Sequence, residues 1–201
     1  MKGSSIILGF FTTGLLLSFY HVIPNDLIKE EYSSYALYVL MFLVGVGVGA
    51  DAKAFQALKG FNLRVFLVPL TTIIGTAIGV ALVYLVIPDL SLKDAQAVGS
   101  GYGYYSLSSI IITETYSKAL GVVALLSNVM REIITLLAAP IIANYFGKIA
   151  PICSGGATSM DTTLPIITKA SGKEYAIISL FHGIVLTILV PFIVSLILSL
   201  G

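Results

Sequence analysis

Cysteine is all but missing from this sequence, and charge is scarce. The single thiol, Cys153, excludes an intrachain disulfide and a cysteine-based metal cluster, and its plain role is that of a small packing residue. Charged residues make up only 10% of the chain, and eleven basic against ten acidic side chains leave a net charge of +1, which offers no electrostatic footprint for nucleic acid. Polar stretches long enough for a soluble domain are also lacking. What the chain has in excess is apolar surface: 57% of the 201 residues are hydrophobic and the mean hydropathy is +1.00, more than a globule of this size can hide. The bilayer must be the solvent.

A helix needs about 20 mostly apolar residues to cross the hydrocarbon core. Hydrophobic segments at 4–23, 34–50, 62–87, 97–113, 119–146, 149–168 and 174–200 meet or approach that length with short polar interruptions between them. The expected fold is all-α: a polytopic helical membrane protein of about seven segments forming one transmembrane transporter domain over 1–201. The first segment has no small-residue cleavage site before Pro24 and is read as a span, not a signal peptide. If every segment crosses, one set of ends holds Lys2, Lys53, Lys59, Arg64, Lys118, Lys169 and Lys173, and the other Lys29, Lys93 and Lys148. That bias predicts a cytoplasmic N-terminus, an outside C-terminus and an external loop carrying Asp26, Glu30 and Glu31.

Two segments are unfit for an ordinary lipid-facing helix. The fourth contains Gly99-Ser-Gly-Tyr-Gly-Tyr-Tyr-Ser106, and the sixth Ser154-Gly-Gly-Ala-Thr-Ser-Met-Asp-Thr-Thr-Leu-Pro165. Glycine and hydroxyl residues weaken both helices, and the sixth adds a charge and a proline. Unpaired backbone groups cost several kcal/mol each in hydrocarbon, so broken backbone survives at membrane depth only where protein or a wet cavity satisfies it. Both segments, about 97–113 and 149–168, are therefore expected to be broken or re-entrant and to line an interior site, the pattern of a secondary transporter. No internal sequence repeat is evident.

The fifth span carries Arg131 and Glu132 near its midpoint, where an ionised group costs at least about 2.5–3.5 kcal/mol. Asn128, Glu132 and Thr135 share one helix face, a polar stripe expected to face the bundle interior. Arg131 and Glu132 are adjacent, point about 100° apart and need separate partners; structural ion pairing is the plainer role for either. Asp161, among Ser159, Thr162 and Thr163, is the best partner for Glu132, although Asp-Thr-Thr-Leu-Pro also reads as the capped start of a half-helix. Burial favours a protonated carboxyl and an arriving cation favours a charged one, so two buried carboxylates let a proton and a cationic substrate displace one another. That is antiport.

Other polar residues have quieter explanations. His182 can relay protons but more plainly bridges a helix contact, and His21 lies at a membrane boundary. Tyr102, Tyr104 and Tyr105 offer aromatic faces to a cation or anchor at an interface. Gly45-Val-Gly-Val-Gly-Ala-Asp51 lacks the last glycine of a dinucleotide fingerprint and follows a span, so helix packing accounts for it; nor does it match the Gly-x-Gly-Asp of intramembrane aspartyl proteases. Gly101-Tyr-Gly103 echoes a potassium-channel filter, without its preceding residues.

The sixth-segment run, with Gly101-Tyr-Gly-Tyr-Tyr-Ser-Leu-Ser108 and Asn128-Val-Met-Arg-Glu-Ile133, resembles the lysine exporter (LysO) family of prokaryotic membrane proteins over most of the chain. The resemblance implies export of L-lysine, and of lysine analogues, across the plasma membrane, driven by an ion gradient, with Glu132 and Asp161 as the working acids. Longer family members carry additional N-terminal membrane segments, and the family core begins here almost at once, which leaves open action alone, as a homodimer or with a separately encoded membrane partner.

The expected substrate- and ion-binding set is Glu132, Asp161, Asn128, Arg131, Ser159, Thr162, Thr163, Gly155, Gly156, Tyr102, Tyr105 and Ser106. Lysine's ammonium would meet a carboxylate, and its α-carboxylate a half-helix N-terminus or Arg131. No nucleophile–base pair or metal-ligand set has persuasive spacing, so no catalytic residue, metal or cofactor is expected beyond a coupling ion, proton or sodium. The rival readings are an antiporter for inorganic cations and a non-transporting membrane subunit.

Overall fold

The computed structural model describes residues 63–87 and 90–200, with isolated positions at 12–14, 16–20, 22, 32, 35, 39, 42 and 46. The expected spans 4–23 and 34–50 and the 45–51 glycine run thus lie in large part outside the described residues, and His21 and the acidic loop at 26–31 wholly so. Among the described residues all regular structure is helical.

Among the described residues three helices are long and apolar enough to cross a bilayer: α1 (Leu67–Tyr84), α4 (Lys118–Phe146) and α7 (Ala176–Ser199). Between α1 and α4 lie two short helices, α2 (Leu92–Gly99) and α3 (Tyr105–Thr115). Between α4 and α7 lie α5 (Ala150–Gly155), a 3-10 turn over Gly156–Met160, and α6 (Leu164–Ser171). Both segments expected to be broken are broken, at 100–104 and at 156–163.

Residues at helical spacing separate a buried face from an exposed one. On α1, Leu67, Leu70, Ile74, Ile78 and Leu82 are exposed, while Val68 and Thr72 are buried. The α4 helix has 29 residues, about 43 Å at 1.5 Å per residue, so it exceeds the roughly 30 Å hydrocarbon core and must tilt or project from it. Its start is fixed by Ser117, whose side chain accepts the Leu120 N–H at 3.3 Å. Ser117→Ala should therefore cost about 1 kcal/mol, read as a lower thermal unfolding midpoint in detergent; an unchanged midpoint would show that solvent caps this end equally well.

The two broken segments are hairpins that return to the side they came from. Lys93, at the start of α2, lies 5.0 Å above the ring of Tyr116, just past the end of α3, and the Tyr116 hydroxyl also bonds the Asp94 carboxylate. A broken helix that crossed would hold these ends about 30 Å apart. In the same way Lys148 Nζ, before α5, donates to the carbonyl of Ala170, near the end of α6, at 3.0 Å. The arms agree: α2 has 8 residues and α3 has 11, about 12 and 17 Å, enough to reach mid-membrane and no further. Because α4 crosses between them, the hairpins enter from opposite faces.

This geometry alters the sidedness expected when every segment crosses. Lys93 and Lys118 fall at one end of the bundle, and Arg64, Lys148, Lys169 and Lys173 at the other. Lys118 was to be opposed to Lys93, and Lys148 to Lys169 and Lys173; the returning hairpins put each set together.

The core sits where α3 packs between α4 and α7. Leu107, Ile112, Ala124, Leu186, Val190 and Val194 form one buried cluster with Ala157 of the second hairpin. A Cβ on Gly121 would fall 1.9 Å from Thr113 Oγ1, so glycine sets the closeness of α3 and α4. In lipid, water does not drive helices together, and small residues and interhelical hydrogen bonds do that work instead.

Candidate functional site

The hairpin tips meet. Ala157 N–H donates to the Tyr102 carbonyl at 2.8 Å, so the second tip closes directly onto the first. The approach is tight enough that a Cβ on Gly156 would lie 2.0 Å from that same carbonyl oxygen, and Gly156 holds φ +63°. Tyr102 itself adopts φ +45°, a left-handed conformation that non-glycine residues seldom take.

The polar stripe of α4 serves both tips. Asn128 Oδ1 accepts the Gly103 N–H at 2.8 Å, and Asn128 Nδ2 donates to Val98 O at 3.1 Å and to Ala124 O at 2.9 Å. Three residues on, Arg131 Nε donates to Ser154 O and Nη2 to Cys153 O, both at 2.9 Å. Thr135 follows, 2.7 Å from Ser154 Oγ. Val98 ends α2, and Cys153 and Ser154 end α5. Each is a helix C-terminus with orphan carbonyls and a partial negative charge, and each receives a side-chain donor from α4. Arg131 thus finds helix-end carbonyls, where the structural alternative to a functional role had been an ion pair.

Glu132, on the adjoining face, is fully buried, whereas Asp161 is exposed, its Oδ1 accepting from the Thr162 backbone N–H and, at 3.2 Å, from the Thr162 hydroxyl. The two carboxylates are within electrostatic reach of one another, and the Tyr105 hydroxyl feels the charge of both. Tyr105 opens α3 and is itself buried. The site therefore has one buried and one exposed carboxylate.

The remaining expected residues divide by direction. Gly155, Gly156 and Tyr102 build the junction. Ser106, in the first turn of α3, is partly exposed, with its carbonyl accepting from Ser109 Oγ at 3.3 Å. Thr163 is buried, 3.3 Å from Thr158 Oγ1. Ser159 turns away from Asp161: its hydroxyl donates to Ser179 O at 2.9 Å, and Ser179 Oγ returns a bond to Ser159 O at 2.7 Å. His182 is fully buried and bridges Ser159 Oγ, 3.1 Å from Nδ1, to Thr72 Oγ1, 2.9 Å from Nε2. It ties α1, α7 and the second hairpin together, as its plainer reading expects.

Sequence reasoning passed over the hydroxyls of α1. Thr71, Thr72 and Thr76, with Gly75, line a cavity beside Arg131, Cys153 and Ser154. Their signal was a threonine-rich face at helical spacing inside an otherwise apolar span.

Comparison with known proteins identifies the family. A family model described as Lysine exporter LysO matches residues 8–198. A protein named Lysine exporter LysO from Escherichia coli (strain K12) is 32% identical over 166 residues, which cover 82% of this chain and 54% of that relative. A second protein named for lysine export, from Haemophilus influenzae, is 30% identical over 191 residues, 94% of this chain and 92% of its own length. The chain thus spans about half the length of the first relative and nearly all of the second. No solved structure matches.

Proposed function

The chain belongs to the lysine exporter LysO family, and from that premise we propose that it carries L-lysine out of the cytoplasm in exchange for protons. The observation that supports this most is the meeting of two opposed hairpin tips beside a fully buried Glu132 that feels the charge of an exposed Asp161. Opposed hairpins give the site two faces. Rearrangement of either tip opens it to one side of the membrane, as alternating access requires.

In the proposed cycle the deprotonated carboxylates hold lysine's ammonium group, and on its release they take up protons for the return. The physical reason is desolvation: burial disfavours a bare carboxylate charge, so a proton and an organic cation compete to neutralise it. Asp161, in contact with solvent, is the first group a cation or proton meets. Tyr105 orients what lies between them. Asn128, Gly155, Gly156, Tyr102, Ser159, Thr162 and Thr163 act by fixing the tips.

Several carbonyls at the two hairpin tips are already engaged by protein donors. Exchangers of bare metal ions coordinate them with unwound carbonyls and half-helix C-termini. Here Val98 O, Tyr102 O, Cys153 O and Ser154 O already accept from protein donors. The excess of Arg64, Lys148, Lys169 and Lys173 over Lys93 and Lys118 supports a cytoplasmic position for the end where the second hairpin opens, with the C-terminus outside.

Proteoliposomes loaded with labelled lysine test the proposal. Efflux should accelerate several-fold when an inward proton gradient is imposed and collapse with a protonophore. Exchange of sodium or potassium for protons that ignores lysine would overturn it.

A further inference from the structure

Between α1, α4 and α5 lies a cavity of about 400 Å³, bordered by Thr71, Gly75 and Thr76 of α1, Arg131 of α4 and Ser154 of α5. Arginine has five N–H donors. Two nitrogens, Nε and Nη2, are committed to the carbonyls that end α5. The third, Nη1, bonds no carbonyl and reaches only Thr76 Oγ1, at 3.4 Å. A positive charge at membrane depth pairs with backbone carbonyls or with an opposite charge, and Nη1 has no carbonyl to pair with. Among the described residues Arg131 bonds two carbonyls and a hydroxyl, and no carboxylate.

The hydroxyls narrow the choice further. Thr71 and Thr72 donate to Val68 O, at 2.9 and 3.1 Å, and Ser154 Oγ is taken up with Thr135 at 2.7 Å. Thr76 accepts from Arg131 and keeps its own proton to give. The cavity therefore presents a guanidinium edge and one hydroxyl donor side by side, the pairing that suits a planar carboxylate. Gly75 leaves the opposite wall bare: a Cβ there would meet nothing within 4 Å.

We infer that this cavity seats the α-carboxylate of the transported amino acid, with Arg131 and Thr76 as its specificity-determining residues. The assignment rests on the exporter reading and adds to it the reason an amino acid is chosen over a simple amine. Glu132 and Arg131 are consecutive on α4 and diverge by about 100°, so the ammonium and carboxylate ends of one molecule are recognised from neighbouring faces of one helix.

The experiment compares export of labelled L-lysine with that of labelled cadaverine, the same chain without its carboxylate, by the full chain in proteoliposomes. The unaltered protein should prefer lysine by about 10- to 100-fold in kcat/KM, the range for charge-assisted hydrogen bonds. Arg131→Gln should bring the ratio close to one. Because Arg131 also ends α5, two further variants leave it in place: Thr76→Val removes the hydroxyl donor, and Gly75→Leu fills the cavity while improving helix propensity. Both should lower the ratio by several-fold or more. A ratio near one in the unaltered protein, or a ratio that none of the three variants moves, overturns the carboxylate seat and leaves the exporter reading standing. An unmoved ratio with lowered folded yield in Arg131→Gln would mean that a carboxylate of the protein itself neutralises the arginine, and overturns it too. Transport of neither compound defeats the exporter reading, and the seat with it.

Discussion

Glu132→Gln is expected to lower lysine export by roughly 100-fold or more while the protein still inserts and remains monodisperse, since losing one member of a buried charge pair costs about 2–5 kcal/mol. The side chain is fully buried in the middle of a spanning helix, and glutamine preserves its volume and its capacity for hydrogen bonding. What glutamine cannot do is alternate between a charged and a neutral form. Folding should therefore survive the change and turnover should not. Asp161→Asn should also slow export, by a smaller factor of about ten, because an exposed carboxylate holds a cation less strongly than a buried one. The measurement is the initial rate of labelled lysine efflux from proteoliposomes, normalised to inserted protein. If Glu132→Gln exported at the normal rate, the carboxylate would be a helix-packing group and the non-transporting-subunit reading would gain.

The second large effect is structural. Gly156→Ala should destabilise the protein by roughly 3–5 kcal/mol and abolish export with it. Gly156 has φ +63° and ψ −130°, a region open essentially to glycine alone, and an added Cβ would sit 2.0 Å from the Tyr102 carbonyl oxygen. That oxygen is the acceptor for Ala157 N–H, so the methyl group would wedge apart the one backbone bond that joins the hairpin tips. Its neighbour provides the control. Gly155 has an ordinary helical φ of −62°, and a Cβ there would meet chiefly the side chains of Thr163, Ile167 and Ser159. Gly155→Ala should therefore cost only about 1–2 kcal/mol. Thermal unfolding in detergent should separate the two variants clearly, by several degrees or more. Equal midpoints would mean that the tips are not locked through this contact.

These two residues also mark how much of the site was legible beforehand. Glu132 could be singled out because a carboxylate in the centre of an apolar 29-residue helix is conspicuous without any knowledge of its surroundings. Gly156 was legible only as one of several glycines in a broken segment; its particular strain arises from Tyr102, more than fifty positions away. Asp161 was expected to join Glu132 as a second buried carboxylate, and it is exposed where Glu132 is buried. Ser159 looked like a companion of Asp161 from its position two residues earlier, and it instead bonds Ser179 and His182 across a helix contact.

The sequence by itself determined the solvent and the alphabet of elements: apolar runs that must be helices in lipid, and two glycine-rich stretches where no helix can continue. Hydropathy and helix breaking depend on a residue and its near neighbours, so both can be read along the chain. Tertiary structure decided that the broken segments turn back on themselves, that their tips touch, and that Arg131 serves the end of α5 beside a threonine-lined cavity. Those outcomes depend on which distant donor completes each backbone group left open by a break. A carbonyl at Val98 or Ser154 is unsatisfied in any local reading, and only the packed bundle supplies Asn128 to one and Arg131 to the other.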